Sequence, residues 1–219
     1  MKKTNLIIGI LICFLIGNAQ EPSKKIKDDE SVAVLAVVQK KLKTIQTAEI
    51  KFSLRTEKDN KTMDIIKGNL WLKGDKYKLQ VPAQHIYCDS VNVWSYLPNQ
   101  NEVSISPYDP SDEENAINPI KLINNYKKYY RSVFVRETTE KGLITQIIDL
   151  YPLQKSSFFK VRLVIDKNKS EILRISISEY NGYTYTYGFD TFIKNPKLNN
   201  SLFVFNPNQY KDIEVIDMR

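Results

Sequence analysis

The chain of 219 residues carries 32 Lys and Arg against 25 Asp and Glu, a formal charge of +7, with one histidine, two cysteines and seven glycines. Its lysines are scattered among Asp and Glu along the whole length, which argues against the clustered basic stripe of a nucleic-acid-binding protein. With so little His and Gly there is no G-x-x-x-x-G-K-[ST] phosphate loop, no G-x-G-x-x-G turn, no H-E-x-x-H zinc helix and no G-x-S-x-G nucleophile elbow.

The N-terminus reads Met1-Lys2-Lys3, continues as an apolar run from Leu6 to Ile16 and reaches Gly17-Asn18-Ala19. A cationic start, an apolar stretch and small residues at positions minus three and minus one predict a secretory signal peptide over residues 1–19, cleaved after Ala19. A membrane anchor needs about 18 or more apolar residues, and this run is shorter. Cys13 lies inside the run behind Ile12, where a lipoprotein site would need a small residue, so it reads as part of the signal. Removing Lys2 and Lys3 lowers the formal charge from +7 to +5 and leaves Cys88 as the one mature cysteine, so no intramolecular disulfide can form. Stability must come from a core, and about 200 mature residues can build one.

Residues 20–30, charged and containing Pro22, read as a flexible leader into one domain over 31–219. From Ser31, the apolar residues Val34, Leu35, Val38, Leu42 and Ile45 recur at spacings of three and four, opposite Lys40, Lys41 and Lys43, and predict a surface helix. After Thr47 the period becomes two: Ala48, Ile50, Phe52 and Leu54 alternate with Glu49, Lys51, Ser53 and Arg55, the pattern of a half-buried strand. Further strands are predicted over 66–73, 76–81, 84–89, 91–97 and 102–106, joined by turns short enough to demand antiparallel neighbours. The alternation stops at Tyr108, passes the acidic residues Asp109, Asp112, Glu113 and Glu114, and gives way to a helix opened by Asn118-Pro119 and carrying Ile120, Leu122, Ile123 and Tyr126. Strands resume over 131–138, 143–151, 158–166, 171–179 and 183–190, with a last piece over 202–205. The class is mostly β (α+β), with about eleven or twelve antiparallel strands and a few helices.

Chemistry-bearing clusters are weak. Ser157-Phe158-Phe159-Lys160 matches S-x-x-K but falls in a strand, whereas that motif needs a helical turn to bring serine and lysine together. His85, Cys88 and Asp89 suggest an activated thiol, yet residues three apart on a strand point to opposite faces. One imidazole does not make a metal site, so neither a metal nor another cofactor is expected. The positive signal is apolar: Phe52 and Leu54, Leu70 and Leu72, Tyr77, Leu79 and Val81, with Tyr183, Tyr185, Tyr187 and Phe189, would share one face of a curved sheet. Periodicity alone also accommodates an ordinary core filled by helices.

The run Gly68-Asn69-Leu70-Trp71-Leu72-Lys73, then Tyr77-Lys78-Leu79, Cys88-Asp89-Ser90-Val91-Asn92-Val93-Trp94-Ser95-Tyr96-Leu97-Pro98 and Glu102-Val103-Ser104-Ile105, resembles the periplasmic lipoprotein carrier LolA. The helix before Ala48–Phe52, the Asn118-Pro119 helix and the ending from Leu202-Phe203-Val204-Phe205-Asn206-Pro207 to Arg219 follow in the same order, in the style of Bacteroidetes members. The resemblance implies an unclosed antiparallel β-barrel with helices over its concave face, located in the periplasm as a monomer. It also implies a helical lid that opens for the acyl chains of lipoproteins released by an inner-membrane Lol-type ABC transporter, with or without an outer-membrane receptor at the far side. Carried over residue by residue, the acyl-chain positions are Leu42, Phe52, Leu54, Leu70, Leu72, Tyr77, Leu79, Val81, Ile120, Leu122 and Ile123. Where family members latch the lid with an arginine, Gly74 stands near that place, so the latch here is absent, weaker or supplied by another residue. Alternatives to a carrier are a lipid- or lipoprotein-sensing module on the same fold and an acyl transferase using Cys88.

Overall fold

A computed structural model describes residues 24–109 and 118–219; the expected signal peptide over residues 1–19 and most of the acidic segment lie outside the described residues. Helix α1 (Lys24–Leu42) leads into six strands: β1 (Thr47–Lys58), β2 (Lys61–Lys73), β3 (Lys76–Val81), β4 (Gln84–Cys88), β5 (Asn92–Leu97) and β6 (Glu102–Pro107). Helix α2 (Pro119–Tyr129) is followed by β7 (Tyr130–Glu140), β8 (Leu143–Pro152), β9 (Phe158–Asp166), β10 (Glu171–Glu179), β11 (Tyr183–Lys194) and β12 (Glu214–Asp217). All twelve strands form one sheet in the order β12-β6-β5-β4-β3-β2-β1-β11-β10-β9-β8-β7. Two antiparallel meanders therefore meet where β1 pairs with β11, and the ends β7 and β12 leave the barrel open.

Two expectations are corrected. Helix α1 begins at Lys24 rather than Ser31. The apolar stripe starts only near Val34, but the charged stretch before it contains no Gly or Pro from Lys24 onward, so nothing interrupts helical hydrogen bonding there. Residues 202–205 are not a strand: Asn200–Phe203 form a 3₁₀ turn capped by Asn199, whose side chain accepts from the Ser201 N–H. The strand of that region is β12, which lies parallel to β6.

Alternation along β1 puts Ala48, Ile50 and Phe52 on the inner face, all nearly inaccessible. Opposite them in register stand Phe192 and Phe189 of β11 and Leu72 and Leu70 of β2. Pairing between β1 and β11 slips between Lys51 and Phe52, a bulge that bends the long strands where they cross the middle of the barrel. In the second meander the inner face is Leu163, Ile148, Leu150, Val161 and Ile175, and α1 covers it with Leu35 and Val38 while α2 adds Ile123 and Tyr126. Burying each such aliphatic side chain contributes about 1.5–3 kcal/mol, so the roofed half of the barrel holds the main core.

On the outer face of β8 and β9, Asp149 is 3% exposed and accepts two hydrogen bonds from Arg162, Nε and Nη2 each at 2.7 Å. That bidentate geometry satisfies a carboxylate that would otherwise be costly to bury.

Candidate functional site

The inner face of the first meander is an apolar surface with an incomplete roof. Phe52, Leu70, Leu72 and Leu79 are buried there, with Leu54, Tyr77, Val81, Ile86 and Ile120 half-buried against them. Gly68 makes this arrangement possible: the Phe52 ring lies across its α-carbon, and a Cβ added there would overlap Phe52 and come within 2.9 Å of Val81 Cγ1. Coverage falls off along the strands, since Ala48, Ile50 and Phe52 of β1 are buried and Leu54 is only half so. Of the residues singled out from sequence, Phe52, Leu54, Leu70, Leu72, Tyr77, Leu79, Val81 and Ile120 thus form one cluster. Leu42, Leu122 and Ile123 belong to the neighbouring cluster under the helices, and Ile45, Ile120 and Phe189 touch both.

A cavity of about 210 Å³ remains between the end of α1, the start of α2 and strands β10–β11, lined by Val38, Leu42, Ile45, Pro119, Ile172 and Phe189 among others. Ligand pockets start at roughly 300 Å³, so the helices must shift before this space admits a long chain.

Helix α2 is positioned by polar groups. Asn118 Oδ1 accepts from the N–H groups of Ile120 and Lys121, capping the helix. From α1, Gln39 Nε2 donates to the carbonyls of Ile123 (3.3 Å) and Asn124 (3.0 Å), tying the helices together. At the tip, Lys121 Nζ reaches Asp75 Oδ1 at 3.0 Å and donates to Tyr108 OH at 2.7 Å. Burial works to lower the Lys121 pKa, but its hydrogen bonds to Tyr108 and Asp75 outweigh this and hold it above the ordinary lysine value. Asp75 follows Gly74, whose φ of +59° makes the tight turn between β2 and β3. A helix-to-sheet contact therefore sits one residue from Gly74, the place near which the resemblance implies a latch. Sequence reasoning missed Lys121, which occupies the polar side of an amphipathic helix and has no local partner.

Cys88 faces the interior, fully buried, and its Sγ approaches the Asp75 carbonyl at 3.7 Å. Burial pushes its thiol pKa up. His85 lies on the other face, its ring beside Tyr96, and burial together with the Lys78 charge holds it below the ordinary histidine value. The strand separates the two groups as the spacing predicts, so they form no thiolate–imidazolium pair. Among the described residues no cluster of His, Cys, Asp and Glu could hold a metal ion, and no helix is long and apolar enough to cross a membrane.

An open antiparallel barrel with two helices over its apolar concave face is the architecture that the LolA resemblance implies. The family model described as "Outer membrane lipoprotein carrier protein LolA" matches residues 40–206. The chain belongs to the LolA family. No curated protein matches it. Its fold is similar to that of an uncharacterized conserved protein from Thermus thermophilus, at 13% identity and a TM-score of 0.57, covering 86% of this chain and 99% of that one. More distant likenesses are a LolA superfamily protein from Nitrosomonas europaea (13% identity, TM-score 0.44, 80% and 97% covered) and the Mycobacterium tuberculosis lipoprotein LppX (12%, 0.46, 76% and 98%).

The LolA-like signature running from Asp89 to Pro98 has a physical role here. Asp89 Oδ1 accepts from the N–H groups of Val91 and Asn92, closing a turn in which Ser90 takes a φ of +77°. Trp94 and Tyr96 point outward, away from the concave face, yet are buried with Tyr87, Val103 and Phe205. The C-terminal segment lies over them, with the Phe205 and Tyr210 rings stacked at 4.9 Å and Tyr96 4.6 Å from Tyr210. These aromatic residues fasten the C-terminus to the outside of the barrel.

Proposed function

We propose that the protein is an exported carrier that takes the acyl chains of lipoproteins released at the inner membrane and brings them to the outer membrane. The observation that supports this best is the apolar concave face, roofed by two helices of which one is pinned by an ion pair at its tip. Membership of a family described as lipoprotein carriers points the same way. Each buried methylene contributes about 0.8 kcal/mol, so one sixteen-carbon chain offers on the order of 12 kcal/mol gross. Moving the helices exposes apolar surface and ordering the cargo costs entropy, which brings the net affinity down to a level from which cargo can still be released. No covalent step is needed.

In this reading the acyl chain contacts Leu79, Leu70, Phe52 and Tyr77, displacing Ile120, Leu122 and Ile123 of α2. An inner-membrane Lol-type ABC transporter supplies the cargo, and the mature monomer begins at Gln20, free to diffuse. The test is a photo-crosslinker at Leu79 in protein recovered from the periplasm, with adducts identified by mass spectrometry. Acylated lipoproteins are the expected adducts; free lipid alone, or no adduct, refutes the carrier.

A further inference from the structure

Strands β1, β8 and β10 finish, and β2, β7, β9 and β11 begin, at the same end of the barrel, the end toward which the inner face loses its cover. The turns and loop ends there carry exposed rings and an exposed leucine close together. Tyr180 is 75% exposed, Leu153 58% and Tyr129 43%, and Phe159 is exposed beside them. Contacts between neighbouring elements recur along this rim. The Leu153 N–H donates to the Tyr129 carbonyl at 2.9 Å, the Phe159 and Tyr180 rings lie 5.4 Å apart, and the Asp59 N–H donates to the Gly182 carbonyl at 3.1 Å.

Lysines are interleaved with these rings. Lys128 lies 5.0 Å from the Tyr129 ring, Lys160 5.6 Å from that of Phe159, and Lys58 4.9 Å from that of Tyr183. At the opposite end three cations are paired with carboxylates: Lys167 with Glu137 at 2.8 Å, Arg174 with Glu140 at 2.6 Å and Lys194 with Glu171 at 2.6 Å. A cation over a ring keeps its full charge and stays hydrated, whereas a paired cation does not project one. The rim also carries the carboxylates of Glu57, Asp59 and Glu179, the last accepting from Asn181 Nδ2 at 2.8 Å, and they are outnumbered there by Lys58, Lys61, Lys128, Lys155 and Lys160.

Aromatic rings with a polar edge settle at the headgroup level of a bilayer, and neighbouring lysines are drawn to anionic headgroups. We propose that this rim docks the open end of the barrel onto an anionic phospholipid surface. The rim is built from residues outside the concave cluster, so docking stands on its own; only the passage of cargo through the docked end rests on the carrier reading.

The test is co-sedimentation of the purified protein with vesicles of phosphatidylethanolamine and phosphatidylglycerol, against vesicles of phosphatidylcholine alone. The protein is expected to sediment with the anionic vesicles and to be released by high salt. Lys58→Gln, Lys128→Gln and Lys160→Gln should each weaken partitioning by about fivefold, and Leu153→Ser combined with Tyr180→Ser should weaken it at every salt concentration. Binding of a fluorescent diacyl lipopeptide in solution should be unchanged in all of these variants. Equal sedimentation with neutral vesicles, no sedimentation, or rim variants that bind vesicles like the parent overturns the proposal. Loss of lipopeptide binding by the parent with vesicle binding intact overturns the carrier reading and leaves docking in place.

Discussion

Replacing Lys121 by methionine keeps most of the side-chain volume on α2 and removes its charge. The Asp75 partner is 63% exposed and the Lys121 side chain 30%, so the ion pair is worth about 0.5–1 kcal/mol. The charge-assisted hydrogen bond to Tyr108, at 2.7 Å, adds about 1–1.5 kcal/mol at the lower end of its class because the site is partly wet. Together the loss is about 2 kcal/mol, roughly 30-fold in the equilibrium between docked and undocked α2. Hydrogen exchange of the amides in the second half of α2 should quicken by that factor in Lys121→Met, with β8 and β9 unchanged. Unchanged α2 exchange, or equal acceleration throughout the sheet, would refute the assignment. The pH dependence has a definite sign. The docked pKa of Lys121 lies above the ordinary 10.5, so the latch is fully present below that value and is lost as pH rises through the docked pKa.

Gly68→Ala should cost about 1–3 kcal/mol, because its Cβ would meet the Phe52 ring and Val81; thermal unfolding should show a Tm several degrees lower. Cys88→Ser places a hydroxyl at a fully buried position and should lower stability by about 1 kcal/mol while lipopeptide binding is retained; loss of function in a folded Cys88→Ser protein would revive the acyl-transferase reading. Asp149→Asn breaks a bidentate pair whose carboxylate is 3% exposed. With Arg162 left 35% accessible, the expected loss in urea unfolding is about 2 kcal/mol, with no change in lipopeptide affinity.

The carrier reading joins the two ends of the molecule's design. One end of α2 is held by a reversible polar contact to the β2–β3 turn, while the barrel rim beyond its other end is rich in rings and lysines. Cargo that displaces α2 must offset about 2 kcal/mol of latch together with the apolar contacts of Ile123 and Tyr126, a cost that an acyl chain can meet.

Local period decided most of the strands and which residues share a face, because side chains on a strand alternate and the buried set is apolar. The run Ala48, Ile50, Phe52, Leu54 could only be an inner face. The asparagine cap and proline likewise placed the start of α2. What covers each face was not in the local pattern. Trp94 and Tyr96 are buried on the outside of the barrel only because Phe205 and Tyr210, more than a hundred residues later, lie over them. The four residues of β12 became a strand because the edge of β6 offered unpaired backbone groups, and the more apolar stretch at 202–205 did not. Lys121 and Asp75 carry no mark of each other in the sequence: charge pairing between a helix and a distant turn depends on where tertiary packing sets the helix down, and only the assembled barrel brings them to 3.0 Å.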